Sequence, residues 1–162
     1  MNPGGVRDDL IFAETPGSEP PGDILYGEAF PVLPFGFRLV TMTLTGAQLK
    51  DVLEQQFPGF GGQTVQRTLS VWDGFTYTWS ASAPLGSKIS SLALNGVPID
   101  PAPSYRVTVN DFLARGGDGF TLLTGGTDAV TSAGSELDAF IAHLAASSPV
   151  APPPANRIQR IP

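Results

Sequence analysis

Cysteine is absent from all 162 residues, which excludes a disulfide, a thiolate metal site and a cysteine nucleophile. Histidine is nearly absent: the single His143 cannot serve any site that needs two imidazoles. Basic residues are few, nine Lys and Arg against fifteen Asp and Glu, and they are scattered. A grip on nucleic-acid backbone needs a basic stripe, and a formal net charge of −6 argues against that and against an anionic membrane surface. The apolar runs are too short to cross a bilayer. Met1-Asn2-Pro3-Gly4 shows no basic stretch followed by an apolar one, so no signal peptide is read in this chain. Neither a phosphate-cradling Gly-x-x-x-x-Gly-Lys loop nor a serine elbow occurs.

Apolar residues make up 41% of the chain, enough for one domain with its own core. The 19 Gly and 16 Pro demand many turns and loops. Residues 1–24 read as loop, with a short helical turn at Tyr26 to Val32. Arg38 to Leu44 alternates, with Val40, Met42 and Leu44 on one face, and reads as a strand. Thr45 with Gln48 three residues later has the spacing of a capping box, and Leu49, Val52, Leu53 and Phe57 form an apolar helical stripe behind it. Thr68 to Trp72 and Phe75 to Trp79 read as a hairpin around Asp73-Gly74. Ile89 to Leu94 reads as a strand, and Asn95-Gly96 turns it into Val97-Pro98-Ile99. Tyr105, Val107 and Val109 mark one more strand, followed by a Gly-rich loop at Arg115 to Gly119. Ser135 caps a last helix, whose buried face is Leu137, Phe140, Ile141 and Leu144. From Ser147 the chain is Pro-rich and reads as an extended strap or linker. Strands and helices interleave, so the expected class is α+β with a mixed sheet flanked by helices.

Taken one at a time, the chemically suggestive residues have plain explanations. Phe35 and Phe112 read as core, the usual place for phenylalanine. Asp118, between glycines in Gly116-Gly117-Asp118-Gly119, reads as a turn aspartate bonding its own backbone. Arg7 reads as a surface ion pair, and Gly4-Gly5 as a turn.

Four segments in order change that weighting. They are Asn2-Pro3-Gly4-Gly5-Val6-Arg7, Val32-Leu33-Pro34-Phe35-Gly36, Leu44-Thr45-Gly46-Ala47-Gln48-Leu49, and Asn110-Asp111-Phe112-Leu113-Ala114-Arg115-Gly116-Gly117-Asp118-Gly119-Phe120. Together they resemble the C-terminal domain of the 5'-nucleotidase family over nearly the whole chain. The resemblance implies a nucleotide- or nucleoside-binding domain at 1–146, without the family's first helix, first strand and an upstream Arg, and a Pro-rich tail at 147–162. It implies that Phe35 and Phe112 stack on the two faces of a base, a contact of about 1–3 kcal/mol per base. Asp118 would accept hydrogen bonds from the ribose diol, Arg7 would read phosphate or ribose, and Asn2 would lie near base or ribose. Gly4 would let main chain approach the ligand.

Hydrolysis of the phosphate ester would belong to an N-terminal metallophosphoesterase domain carrying two divalent metal ions. No cofactor is expected in this chain, and the isolated chain is expected to be inactive on AMP. The implied partners are a nucleotide or nucleoside and that N-terminal domain, with no nucleic acid and no membrane span. The implied location is extracellular or periplasmic. Family members act on nucleoside monophosphates, 2',3'-cyclic nucleotides, UDP-sugars or, in one branch, a sulfur ester; the Phe pair favours a base-containing ligand. A non-catalytic binding or interaction module derived from the same domain is the alternative. Two positions depart from the family pattern. Phe37 adds a stacking surface or blocks part of the pocket, and Arg38 is placed to compensate for the upstream Arg. Asp8, next to Arg7, is placed to pair with it. His143 reads as an ordinary helix histidine.

Overall fold

The computed structural model describes residues 1–162. Its first sheet is antiparallel and has three strands, β5 (Ser104–Asn110), β1 (Arg38–Thr45) and β6 (Thr127–Ser135), in that order. Alternation on β1 buries Val40, Met42 and Leu44, at 7%, 2% and 1% exposure. Thr45 ends β1 and caps α2 (Gly46–Glu54): its Oγ1 accepts from Gln48 N at 3.2 Å, and Gln48 Oε1 accepts from Thr45 N at 2.8 Å. This reciprocal pair satisfies two backbone donors at the helix start. Leu49 and Val52 of α2 close the first core with Leu69, Leu113, Phe120 and Leu123.

The second sheet has four strands in the order β4 (Val97–Pro98), β3 (Ile89–Leu94), β2 (Phe75–Ser80) and β7 (Ile158–Ile161). Asn95 and Gly96, both left-handed at φ 51° and 77°, make the tight turn between β3 and β4. Leu53, Phe57, Tyr77 and Ile89 form the core here. The phenol of Tyr77 donates to Gln56 Oε1 at 3.0 Å, and burial pushes its pKa up to about 12. A third cluster packs α1 (Tyr26–Val32) on α4 (Glu136–Ser147) through Ala29, Val32, Leu33 and Leu137. Ser135 caps α4 with Asp138 in the same reciprocal geometry. The class is thus α+β, and it is the second sheet that is mixed, because β2 and β7 run parallel.

Three features differ from the sequence reading. Residues 68–72 are not a hairpin strand. The Asp73-Gly74 turn exists, closed by Phe75 N to Trp72 O at 3.0 Å, but the place beside β2 is taken by β7. Residues 69–71 bond elsewhere: Leu69 N to Gln56 Oε1, Ser70 N to Met1 O, and Arg157 Nη1 to Val71 O. The Pro-rich tail is extended only to Arg157, and its last residues are strand β7. Finally, β6 lies where the sequence shows no strand pattern, between the Gly-rich loop and Ser135.

One edge of β5 has no strand partner. An apolar cleft of about 270 Å3 is lined by Tyr105 and Val107 of β5, by Val71 and Trp72, and by core residues such as Leu44 and Leu49.

Candidate functional site

The site gathers on loops at the ends of β1 and β5. Asn110 closes β5, and its Oδ1 accepts from Leu113 N at 3.0 Å, which starts the short helix α3 (Asp111–Ala114). Leu113 turns fully inward and leaves Phe112 half-exposed beside it. Phe35 and Phe37 flank Gly36 in the loop before β1. Gly36 has φ +64°, a conformation that favours glycine.

Three rings form a near-parallel column. Phe35 stacks on Phe37 with centroids 5.1 Å apart and planes 19° apart, and Phe37 stacks on Phe112 at 5.6 Å and 17°. Phe35 and Phe112 are therefore brought together, but through Phe37 rather than face to face. Phe35 remains 45% exposed, and the Arg7 guanidinium lies over its ring, 5.8 Å from the centroid. At the other end Phe112 presses on Gly117, where an added Cβ would come within 2.5 Å of the ring. This close approach explains a glycine at a position whose φ is not left-handed.

Asp118 follows Gly117 directly. It is itself left-handed, φ 55°, between Gly116 at 84° and Gly119 at 82°. Its Oδ2 accepts from Asn2 Nδ2 at 2.6 Å, and its Oδ1 lies 3.4 Å from Arg67 Nη1. Gln63 Nε2 holds its main-chain oxygen at 2.9 Å. A carboxylate offers about four lone-pair directions, so Asp118 keeps acceptor capacity for a diol. Asn2 is buried, and its Oδ1 faces Asn110 Nδ2 at 3.4 Å. Gly4 sits in the short 3-10 turn Pro3–Gly5, and a Cβ added there would meet only the Asn2 amide, at 3.9 Å.

Arg67 and Gln63 carry no signal in the sequence. They reach Asp118 because the Gly61-Gly62 turn, left-handed at both residues, sends the 63–67 segment back across the loop. Asn110 Nδ2 also bonds Glu136 Oε2 at 3.3 Å, and Glu136 N donates to Phe37 O at 2.7 Å. Burial raises the Glu136 carboxyl above its usual range. The Asn110 bond opposes that rise, the Asp111 charge adds to it, and the Met1 ammonium opposes it.

Of the remaining residues singled out by the sequence, Arg7 joins the site only through Phe35, and the others fall outside this network. Arg7 meets Phe35, whereas Asp8 accepts from Asp9 N, so the Arg7–Asp8 pair does not form. Arg38 is exposed at the start of β1. His143 is exposed on α4, with its Nδ1 3.5 Å from Ser147 Oγ. No three His, Asp or Glu side chains gather in a way that could hold a metal ion. These residues do not fit a dinuclear metal centre. No helix is long and apolar enough to cross a membrane.

With this geometry in view, comparison with known proteins is specific. The family described as "5'-nucleotidase, C-terminal domain" matches residues 1–125. The chain belongs to the 5'-nucleotidase C-terminal domain family. A cell wall protein of Listeria monocytogenes is 32% identical over 146 residues, covering 88% of this chain and 18% of its own. A 5'-nucleotidase-related protein of Glossina morsitans morsitans is 33% identical over 145 residues, covering 85% of this chain and 26% of its own. The crystal structure of a 5'-nucleotidase precursor from Thermus thermophilus superposes with a TM-score of 0.78 and 31% identity, over 99% of this chain and 30% of that one. This chain thus spans a third or less of each of these proteins.

Proposed function

We propose that this chain is the unit of a 5'-nucleotidase-type phosphoesterase that grips the nucleoside part of a nucleotide. The observation that carries this is the aromatic column of Phe35, Phe37 and Phe112 beside Asp118, with Arg7 over its outer ring. Aromatic faces take a base out of water, the carboxylate of Asp118 is suited to accept from ribose hydroxyls, and the Arg7 guanidinium is suited to bind phosphate. Asn2 orients Asp118 through their 2.6 Å bond.

Hydrolysis is assigned to an N-terminal domain carrying two divalent ions, which supply Lewis acidity and an activated water. Residues 1–146 are the proposed binding unit and 147–162 its tail. The cell-wall relative supports an extracellular or periplasmic setting. The same geometry serves a non-catalytic nucleoside-binding module, a reading favoured by the Phe37 ring standing against both neighbours.

Titration with adenosine tests the reading. Stacking on one face is worth about 1–3 kcal/mol, so Phe112→Ala weakens adenosine by roughly fivefold to a hundredfold. Phe35→Ala acts in the same direction. Unchanged affinity in both variants rejects the site.

A further inference from the structure

Phe37 contacts both clamp rings, and these do not contact each other. It stacks at the spacing and tilt that a flat ligand would adopt, so its ring stands where a base would stand. We propose that Phe37 is a built-in plug of the base position, displaced when a nucleoside enters; this rests on the nucleoside reading above.

The plug is hinged where motion is cheap. The Phe37 main chain is fixed, because its oxygen accepts from Glu136 N at 2.7 Å at the start of α4. Its side chain is only half-buried, and Gly36 before it has open space around its Cα. Ring displacement therefore needs a rotamer change, not a loop rearrangement. An open cleft of about 310 Å3, bordered by Phe37, Phe112, Arg115 and Gly117, gives a base a way onto Phe112. With no ligand, the plug covers apolar ring surface that water would otherwise meet.

A plug changes selectivity as well as affinity. A site open for only a fraction of the time binds with its affinity reduced by that fraction. An incoming base recovers the stack it breaks. A sugar phosphate without a base recovers nothing and does not displace the ring. Phe37 therefore weakens ligands that must insert a base and leaves unaffected those that present only ribose and phosphate.

The test is a calorimetric titration of the wild-type chain, Phe37→Ala and Phe37→Leu with adenosine and with ribose 5-phosphate. Aromatic pairs of this kind hold the closed form about fivefold over the open one, so Phe37→Ala tightens adenosine by about that factor. Phe37→Leu, which keeps apolar bulk without the ring, tightens it less, and ribose 5-phosphate is unchanged. Weaker adenosine binding in Phe37→Ala makes the ring a platform and overturns the plug. Equal affinity, or equal tightening of both ligands, overturns it too. Adenosine bound by the wild type but no tighter by the variants sinks this inference alone. No adenosine binding by any of the three proteins sinks the nucleoside reading and the plug with it.

Discussion

Glu136 is only 3% exposed, and its Oε1 has no hydrogen-bond partner. Burial raises its folded pKa, so the folded chain binds this proton more tightly than the unfolded chain does. Stability from this group is therefore fully present at low pH and is lost as pH climbs above 4.5 toward the folded value. Glu136→Gln removes the charge at every pH. Melting curves between about pH 4 and pH 8 are expected to fall less steeply with rising pH in that variant. A slope equal to the wild type would show that Glu136 does not titrate as its burial requires. At this scale the sequence is partly legible. Phe35, Phe112, Asn2 and Asp118 stand in the segments that carry the family resemblance, and Phe37 stands out as a departure from it. Arg67 and Gln63 have no such mark. Their role depends on how the 63–67 segment crosses the Asp118 loop, which is a long-range fact.

Among the elements, α2 is tied down at its end by a buried carboxylate. Glu54 has no exposure and accepts from Ile89 N at 2.8 Å, Lys88 N at 3.2 Å and Lys50 Nζ at 3.0 Å. Removing the carboxylate leaves the buried Ile89 N of β3 and the part-buried Lys88 N before it unmet, and leaves Lys50 only the Gly86 carbonyl at 2.9 Å. Glu54→Ala is expected to cost about 3 kcal/mol, measured by urea unfolding. A loss below about 1 kcal/mol would mean that water satisfies those donors. The β1–α2 junction is readable because alternation, capping box and apolar stripe agree there. β6 is not, because Thr127–Ser135 is exposed nearly throughout and its registry with β1 is broken twice. A strand held by pairing alone leaves no period in its side chains. The turn at Asp73-Gly74 is readable but its partner strand is not, since β7 comes from residues about eighty positions away.

For the molecule as a whole, the last residues matter more than a linker would. β7 pairs parallel with β2 from Tyr77↔Ile158 to Ser80↔Ile161. Arg157 bonds Asp73 Oδ1 at 3.1 Å, and the Arg160 guanidinium lies 5.3 Å from the Trp79 ring centroid. Ending the chain after Ser147 removes all of these and opens an edge on β2. Such a variant is expected to melt roughly 5 °C or more below the full chain and to self-associate more readily. Unchanged melting and unchanged light scattering would reduce β7 to an ornament. The two sheets, for their part, share a single helix. Leu49 and Val52 of α2 enter the core under β1, while Leu53 enters the core under β2 and β3. A helix shared in this way couples the two halves, so the chain is expected to unfold as one cooperative body. Any molecule held by the loops around β1 and β5 thereby shields the remote β2–β3 sheet from heat as fully as it shields its own surroundings.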